Sequence, residues 1–482
     1  MHFSISLRIL GVLLMLFSIT LLVPLLLALY LHDETITGFS TALAITFLSG
    51  FSLWLPTRRS RQELRTRDGF LVTTLFWTVL GLFGALPFAL HEGIDLDATD
   101  AIFESISGLT TTGATVITGI DELPRSLLFY RQQLQWLGGI GIIVVAVAVL
   151  PMLGVGGMQL YQAETPGPSK DSKLTPRITE TAKALFTVYV LLTVLCGLAY
   201  RVAGMSTFDA ICHAFSTVAI GGFSTHDASM GFYDSPAITL VCCLFMYVAA
   251  INFGLHFTAW RRRGLGPYFK DSETVFFTSV LAVCIVITCL VLLATDTFDT
   301  GQGLLHGVFQ AISITTTTGF TTSDYAQWPS FLPLMLLVFA FMGGCAGSTG
   351  GGIKAMRLML ISKQGVRELK QLVHPNAVIP LKVGRRRVEA KVVSAVWSFL
   401  AVYLVAFVIL MISLVATGLD FETAFSAVGA SLNNLGPGLG DVAYHYGDIN
   451  QAAKWLLCGA MLLGRLEVFT VLVLFTPAFW RP

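Results

Sequence analysis

The sequence predicts an all-α polytopic membrane protein in which two N-terminal transmembrane helices precede four pseudo-symmetric repeats of helix, re-entrant loop and helix. Three observations lead there. Apolar residues make up 54% and charged residues only 12% of the 482 positions, with a mean hydropathy of +0.74; an ordinary soluble domain carries roughly 25% charged residues. About ten apolar stretches approach the ~20 residues needed to cross ~30 Å of hydrocarbon. Finally, a short segment of apolar, hydroxyl and glycine residues recurs four times between those stretches.

The spans fall near 4–31, 36–56, 69–91, 127–153, 179–203, 236–260, 274–295, 331–358, 391–417 and 452–480. The first is too long for the apolar region of a cleaved signal peptide and lacks a small-x-small site before Asp33 and Glu34, so it reads as a retained helix. This gives a two-helix unit over 1–67 and repeats over 68–177, 178–270, 271–387 and 388–482. Basic clusters lie between repeats: Arg58, Arg59, Arg61, Arg65 and Arg67; Lys170, Lys173 and Arg177; Arg261, Arg262, Arg263 and Lys270; and the stretch 354–391. Connections within repeats are acidic, with Asp95, Asp97, Asp121, Glu122, Asp227, Asp324 and Asp441 among them. The positive-inside rule then makes the basic loops cytoplasmic. A short segment must dip into the membrane and return to the side it left, or the flanking helices could not be antiparallel.

Net charge is +1, which offers no bulk attraction for nucleic acid. All eight cysteines lie in apolar segments without CxxC or Cys/His spacing, which argues against disulfides and structural metal. His213 and His306 fall in or beside the short segments, and no HExxH occurs. Without a metal-ligand cluster or a Walker motif, a membrane enzyme is disfavoured.

The four short segments are FESISGLTTTGAT from Phe103, CHAFSTVAIGGFST from Cys212, FQAISITTTTGFTT from Phe309 and FSAVGASLNNLGPG from Phe425. Phe103 to Gly113, Cys212 to Gly222 and Phe309 to Gly319 are each ten apart, while Phe425 to Gly436 is eleven, leaving the register of the fourth open. Irregular backbone survives at membrane depth only where it lines a cavity. Glycine lets a carbonyl turn inward, and the negative end of each half-helix points to the same place. Four such loops supply oxygen ligands for a dehydrated alkali cation. The absence of a carboxylate ring disfavours Ca²⁺ or Mg²⁺.

These loops resemble those of the Trk/Ktr/HKT potassium transporter superfamily, and the last, with Asn433, Asn434, Leu435, Gly436 and Pro437, resembles its bacterial potassium-uptake branch. The resemblance runs end to end. It implies a K⁺-channel-like fold in one chain, K⁺ as permeant ion, a homodimer in the bacterial inner membrane, and a cytosolic TrkA-type ring that carries the nucleotide, with no organic cofactor in this chain. By position, the filter would comprise Thr111, Thr112 and Gly113; Ile220, Gly221 and Gly222; Thr317, Thr318 and Gly319; and Asn434, Leu435 and Gly436. The fuller TVGYG motif is missing, so K⁺ and Rb⁺ permeation with some Na⁺ leakage is expected. Ion-coupled symport is the alternative transport mode.

Two further features stand out. The span 331–358 holds six glycines in ten residues over 343–352 (Gly343, Gly344, Gly347, Gly350, Gly351, Gly352), with Ser348, Thr349 and Lys354. Each interior glycine costs a helix about 1 kcal/mol, so an intramembrane loop below the filter is expected, which the resemblance makes a gate. Close helix packing is the other reading; a P-loop lacks its Gly-Lys-Ser/Thr. Arg465 sits inside the last span, as a barrier to cations or as a packing residue paired with a carboxylate. Glu104, Asp209 and Glu422 suit half-helix N-termini or the outer mouth, and the 354–391 stretch suits a soluble partner or anionic headgroups.

Overall fold

In the computed structural model the described residues are all except 1–2, 60–65, 92, 94–95, 145–173, 330, 385 and 482. Arg61, Arg65, Asp95, Lys170, Lys173 and Arg385, and the span 127–153 beyond 144, therefore lie outside the described residues.

The N-terminal unit is α1 (Phe3–Thr20), α2 (Leu22–Leu31) and α3 (Ile36–Thr57). Gly11 and Gly50 let α1 and α3 touch backbone to backbone: a Cβ on either would meet the other's carbonyl at 2.7 Å. Four units of similar order follow. The first has α4 (Thr66–Gly84), α5 (Leu86–Ala89), short α6 (Ala98–Leu109) and α7 (Arg125–Val144). The second has α8 (Leu174–Val202), short α9 (Thr207–Ala219), α10 (Pro236–Ala249), α11 (Phe253–Arg262) and α12 (Gly266–Lys270). The third has α13 (Ser272–Ala294), short α14 (Thr300–Thr315), α15 (Leu332–Ala340) and α16 (Ala355–Val373). A two-residue ribbon, β1 (Lys382–Val383) with β2 (Arg386–Arg387), leads to α17 (Ala390–Ala416), short α18 (Phe421–Leu432), α19 (Gln451–Arg465), α20 (Phe469–Leu472) and α21 (Pro477–Trp480).

Three of the short helices open on a side-chain cap. Asp97, Ser206 and Asp420 accept the N–H groups of Asp100, Asp209 and Thr423, which satisfies donors that would otherwise be stranded. Asp209 and Glu422 do sit in first turns. Glu104 does not: it lies mid-helix and fully buried, which corrects its expected place at an N-terminus.

Each short helix packs against the helix that follows the short helix of the unit before it: α9 on α7, α14 on α10, α18 on α15, and α6 on α19. That cyclic order closes the units around an axis. The short helices are buried along most of their length because they stand inside this ring.

Among the described residues six helical stretches are long and apolar enough to cross a membrane, and two bent pairs bring the total to as many as eight. Three expected spans differ. The span 236–260 breaks between α10 and α11 with a 96° bend, and 452–480 breaks after Arg465 with a 107° bend. Asn252 caps the new helix through Gly254 N–H at 2.7 Å, so the chain turns where its backbone finds other partners. The span 331–358 stops at Ala340 and becomes a loop to Lys354. Residues Arg131, Gln132, Gln133 and Gln135 make α7 more polar than the six spanning stretches. All eight cysteines are buried and unpaired.

Candidate ion pathway

After each short helix the backbone makes the same turn. Thr111, Ile220, Thr317 and Asn434 have φ of 54°, 55°, 65° and 53°, and the glycine two residues later, Gly113, Gly222, Gly319 or Gly436, has φ of 81°, 81°, 84° or 98°. Three of the first set are β-branched, for which left-handed backbone is costly and marks a site that the surroundings enforce. The hydrogen bonds repeat as well. Thr112, Gly221, Thr318 and Leu435 each donate N–H to the carbonyl five residues back, on Ser107, Ser216, Ser313 and Ala430, at 2.8, 2.9, 2.8 and 2.8 Å. The fourth segment is thus in register through Gly436, and Ser426, not Phe425, matches Phe103.

The turns also interlock. A Cβ on Gly113 would lie 2.0 Å from Gly221 O, on Gly222 2.1 Å from Thr318 O, on Gly319 2.1 Å from Leu435 O, and on Gly436 2.7 Å from Thr112 O. Each glycine therefore gives room to the carbonyl preceding the next unit's glycine, and the order closes on itself. All four glycines line one cavity of about 330 Å³, with Asp227, Asp324, Tyr325 and Tyr446 on its walls.

Several oxygens are engaged from behind. Gln135 Nε2 donates to Gly221 O at 2.6 Å while its Oε1 accepts from Ser216 Oγ and Phe223 N at 2.6 and 3.1 Å. Tyr446 donates to Gly436 O at 2.7 Å. A carbonyl so engaged keeps one lone pair. Asn434 Nδ2 reaches Thr112 Oγ1 and Met461 O at 3.0 Å each, tying the fourth turn to the first. The buried Thr111 Oγ1 and Asn434 Oδ1 have no hydrogen-bond partner among the described residues, leaving them free to meet a cation or its water.

Beneath the turns runs the glycine-rich loop, and its contacts cross three units. Thr349 Oγ1 donates to Val218 O at 3.0 Å, Gly351 N to Thr317 Oγ1 at 2.8 Å, and Gly352 N to Asn433 O at 3.1 Å. A Cβ on Gly351 would lie 1.9 Å from Asn433 O. Cys345 N donates to Ala250 O at 2.8 Å, and Phe253 N to Gly347 O at 3.1 Å; the loop fills the break between α10 and α11. Ser348 bonds Cys345 O at 2.7 Å, and Lys354 Nζ bonds Gly350 O, so both side chains brace the loop itself. Glu273, at the start of α13, accepts N–H from Ala346 and Met356 at 2.6 and 3.1 Å.

Arg465 is buried below the fourth turn. Its Nη1 donates to Thr349 O at 3.0 Å and its Nη2 to Gly138 O at 3.1 Å, and it stands over Trp77 at 5.4 Å. Among the described residues no carboxylate forms an ion pair with Arg465, and Glu467, two residues on, pairs with Arg357. A cavity of about 40 Å³ remains among Gly350, Gly351, Lys354, Asn434, Gly464 and Arg465, room for about one water.

Sequence reading missed Arg131 and Gln135, whose contacts reach the first and second turns. Their signal was present as the polar run 131–135 inside an apolar span, and polar groups at membrane depth mark functional positions.

The chain matches the sequence profile of the TrkH family, described as cation transport protein, over residues 36–481. It is 58% identical over 481 residues to the Trk system potassium uptake protein TrkH of Halomonas elongata, and 53% identical over 482 residues to that of Escherichia coli K12, covering the whole of both chains in each case. The fold is similar to the crystal structure of the potassium transporter TrkH from Vibrio parahaemolyticus, with a TM-score of 0.93, 51% identity and full coverage of both chains. All are transport proteins rather than enzymes by name. This chain belongs to the TrkH family of cation transport proteins.

Proposed function

We propose that the chain takes up K⁺ across a bacterial inner membrane through a gated, channel-like pathway that also passes Rb⁺ and some Na⁺. The cyclic interlock of Gly113, Gly222, Gly319 and Gly436 carries this reading, since four matched turns around one cavity are what a cation shedding its water requires. The filter comprises Thr111, Thr112, Gly113, Ile220, Gly221, Gly222, Thr317, Thr318, Gly319, Asn434, Leu435 and Gly436. The gate is the 343–352 loop with Lys354 and Arg465, whose guanidinium both blocks cations and holds Thr349. The repeats run over 68–177, 178–270, 271–387 and 388–482, behind the two-helix unit 1–67. A homodimer assembles with a cytosolic nucleotide-binding ring of TrkA type, which pulls on the basic face near 354–391 to open the loop. The relatives' designation as a potassium uptake system supports the substrate and a multi-component assembly.

The test is ⁸⁶Rb⁺ flux into proteoliposomes holding the purified chain under an imposed membrane potential. Voltage-driven uptake that K⁺ competes for, with a reversal potential unmoved by a proton gradient, is expected. A reversal potential that shifts with the proton gradient would replace the channel by a symporter.

A further inference from the structure

Nine residues before each ring glycine stand Glu104, His213, Gln310 and Ala427. The chemistry of these four equivalent positions differs completely, and Glu104 and His213 contact the segments that leave their turns. Gln310 is buried, with both amide atoms unpartnered among the described residues. His213 Nε2 meets Ser224 Oγ at 2.9 Å. Only the first position carries a charge, and it is matched: Arg131 Nη2 lies 2.8 Å from Glu104 Oε1, with side chains 1% and 0% exposed.

Burying such a pair is expensive and contributes little net stability compared with apolar packing, so what matters is what it holds. Glu104 Oε2 accepts Val116 N–H at 3.0 Å, and both carboxylate oxygens accept Thr115 Oγ1 at 3.0 Å. Arg131 donates through Nε to Glu104 at 2.9 Å, through Nη2 to Thr115 Oγ1 at 3.2 Å, and through Nη1 to Ser224 O at 3.1 Å. Its guanidinium lies 4.3 Å from the centre of the Phe223 ring. Thr115 and Val116 leave the first turn, while Phe223 and Ser224 leave the second. One ion pair therefore fixes two adjacent exits from the ring at their common seam, and Tyr446 N–H extends the clamp to the fourth unit through Thr115 O at 2.7 Å.

We propose that the Glu104–Arg131 pair is a selectivity-determining positioning pair, clamping the first and second filter turns together so that the ring keeps the spacing that favours K⁺ over the smaller Na⁺. This rests on the filter assignment proposed above. Because the pair is net neutral, replacing both partners by neutral groups leaves the charge of the site unchanged and removes only the clamp. Replacing one leaves a bare charge beside the cavity that Arg131 lines.

The test compares Na⁺ and Rb⁺ permeability in proteoliposomes of the full chain and of two variants, Glu104→Gln with Arg131→Met together, and Glu104→Asp, whose shorter side chain keeps the charge but withdraws from Val116 N–H. A rise in the Na⁺ to Rb⁺ permeability ratio of about threefold or more in the double variant, with a smaller rise in Glu104→Asp, is expected. An unchanged ratio in a double variant that still conducts Rb⁺ would overturn the proposal, since a pair that only stabilises the fold would alter yield or melting and not the ratio. Should the double variant not fold, an unchanged ratio in Glu104→Asp overturns it equally. Loss of Rb⁺ flux from the unmodified chain would instead strike the filter assignment.

Discussion

The ring of turns and the floor beneath it are built on opposite plans. In the ring, four units contribute the same φ angles, the same hydrogen bond five residues back and the same glycine against a neighbour's carbonyl. In the floor every contribution differs: the third unit supplies the loop, the fourth supplies Arg465, and the first supplies Gly138 O as a second anchor. Equivalent ligands suit an ion that must be surrounded evenly. A plug needs only one movable part and one residue to hold it. On the proposed reading, perturbing the ring changes which ions pass, whereas perturbing the floor changes how many pass.

Floor variants break this comparison most sharply. Deleting residues 350–352 removes the Gly351 and Gly352 donors to Thr317 and Asn433 together with the chain that carries Thr349 to Val218. With each net hydrogen bond worth about 1 kcal/mol, ⁸⁶Rb⁺ flux without the partner ring should rise roughly a hundredfold while the Na⁺ to Rb⁺ ratio stays constant. Arg465→Ala removes two charged bonds to backbone carbonyls, and at about 1.5 kcal/mol or more for each such bond partner-independent flux should likewise rise roughly a hundredfold. Glu273→Gln retains an acceptor for Ala346 and Met356 but removes its charge; single-channel recording should find about a twofold change in open time.

The smallest effect lies at the cavity that His226 lines. His226 Nδ1 bonds Asp121 and its Nε2 lies 3.8 Å from Asp209. Burial opposes its charge, but the neighbouring Asp209 and Asp121 carboxylates outweigh burial and raise its pKa above 6.5. Burial likewise opposes the Asp121 charge, and the hydrogen bond to His226 with that from Asp227 brings its pKa below 3.8. A raised histidine contributes its full stability below pH 6.5 and loses it as pH climbs through the higher folded value; a lowered carboxylate contributes above 3.8 and fails as pH falls through its folded value. The contact is therefore tightest in mild acid. Hydrogen exchange of residues 224–229, corrected for the base-catalysed intrinsic rate, should quicken slightly as pH rises past neutrality, and His226→Gln should abolish that residual dependence.

Much of this architecture was readable from residues alone, for identifiable reasons. The short segments were found because hydroxyl residues and glycine at membrane depth break the local hydropathy pattern. The fourth was counted from Phe425, an aromatic anchor on the helix, although the register is set at the other end, where Asn434 takes positive φ. Likewise 343–352 was legible as a loop, since six glycines cannot hold a helix. The bends at 250–252 and after Arg465 were not: hydropathy is blind to direction, and the partners that fix the first bend, Gly347 and Cys345, lie nearly a hundred residues away. Nor could the sequence pair Glu104 with Arg131, since one stands on a short helix and the other on a span read as plain apolar.

On the proposed reading four units contribute equivalently to one ring. The most direct measurement of that equivalence is the Na⁺ to Rb⁺ permeability ratio of Gly113→Ala, Gly222→Ala, Gly319→Ala and Gly436→Ala, each made singly. Left-handed backbone costs a non-glycine residue about 1–2 kcal/mol, and each new Cβ would press on a neighbour's carbonyl at 2.0 to 2.7 Å. All four ratios should shift in the same direction, Gly436→Ala least because its contact is the loosest. A variant among them that conducts with an unchanged ratio would contradict the account by removing its unit from the ring.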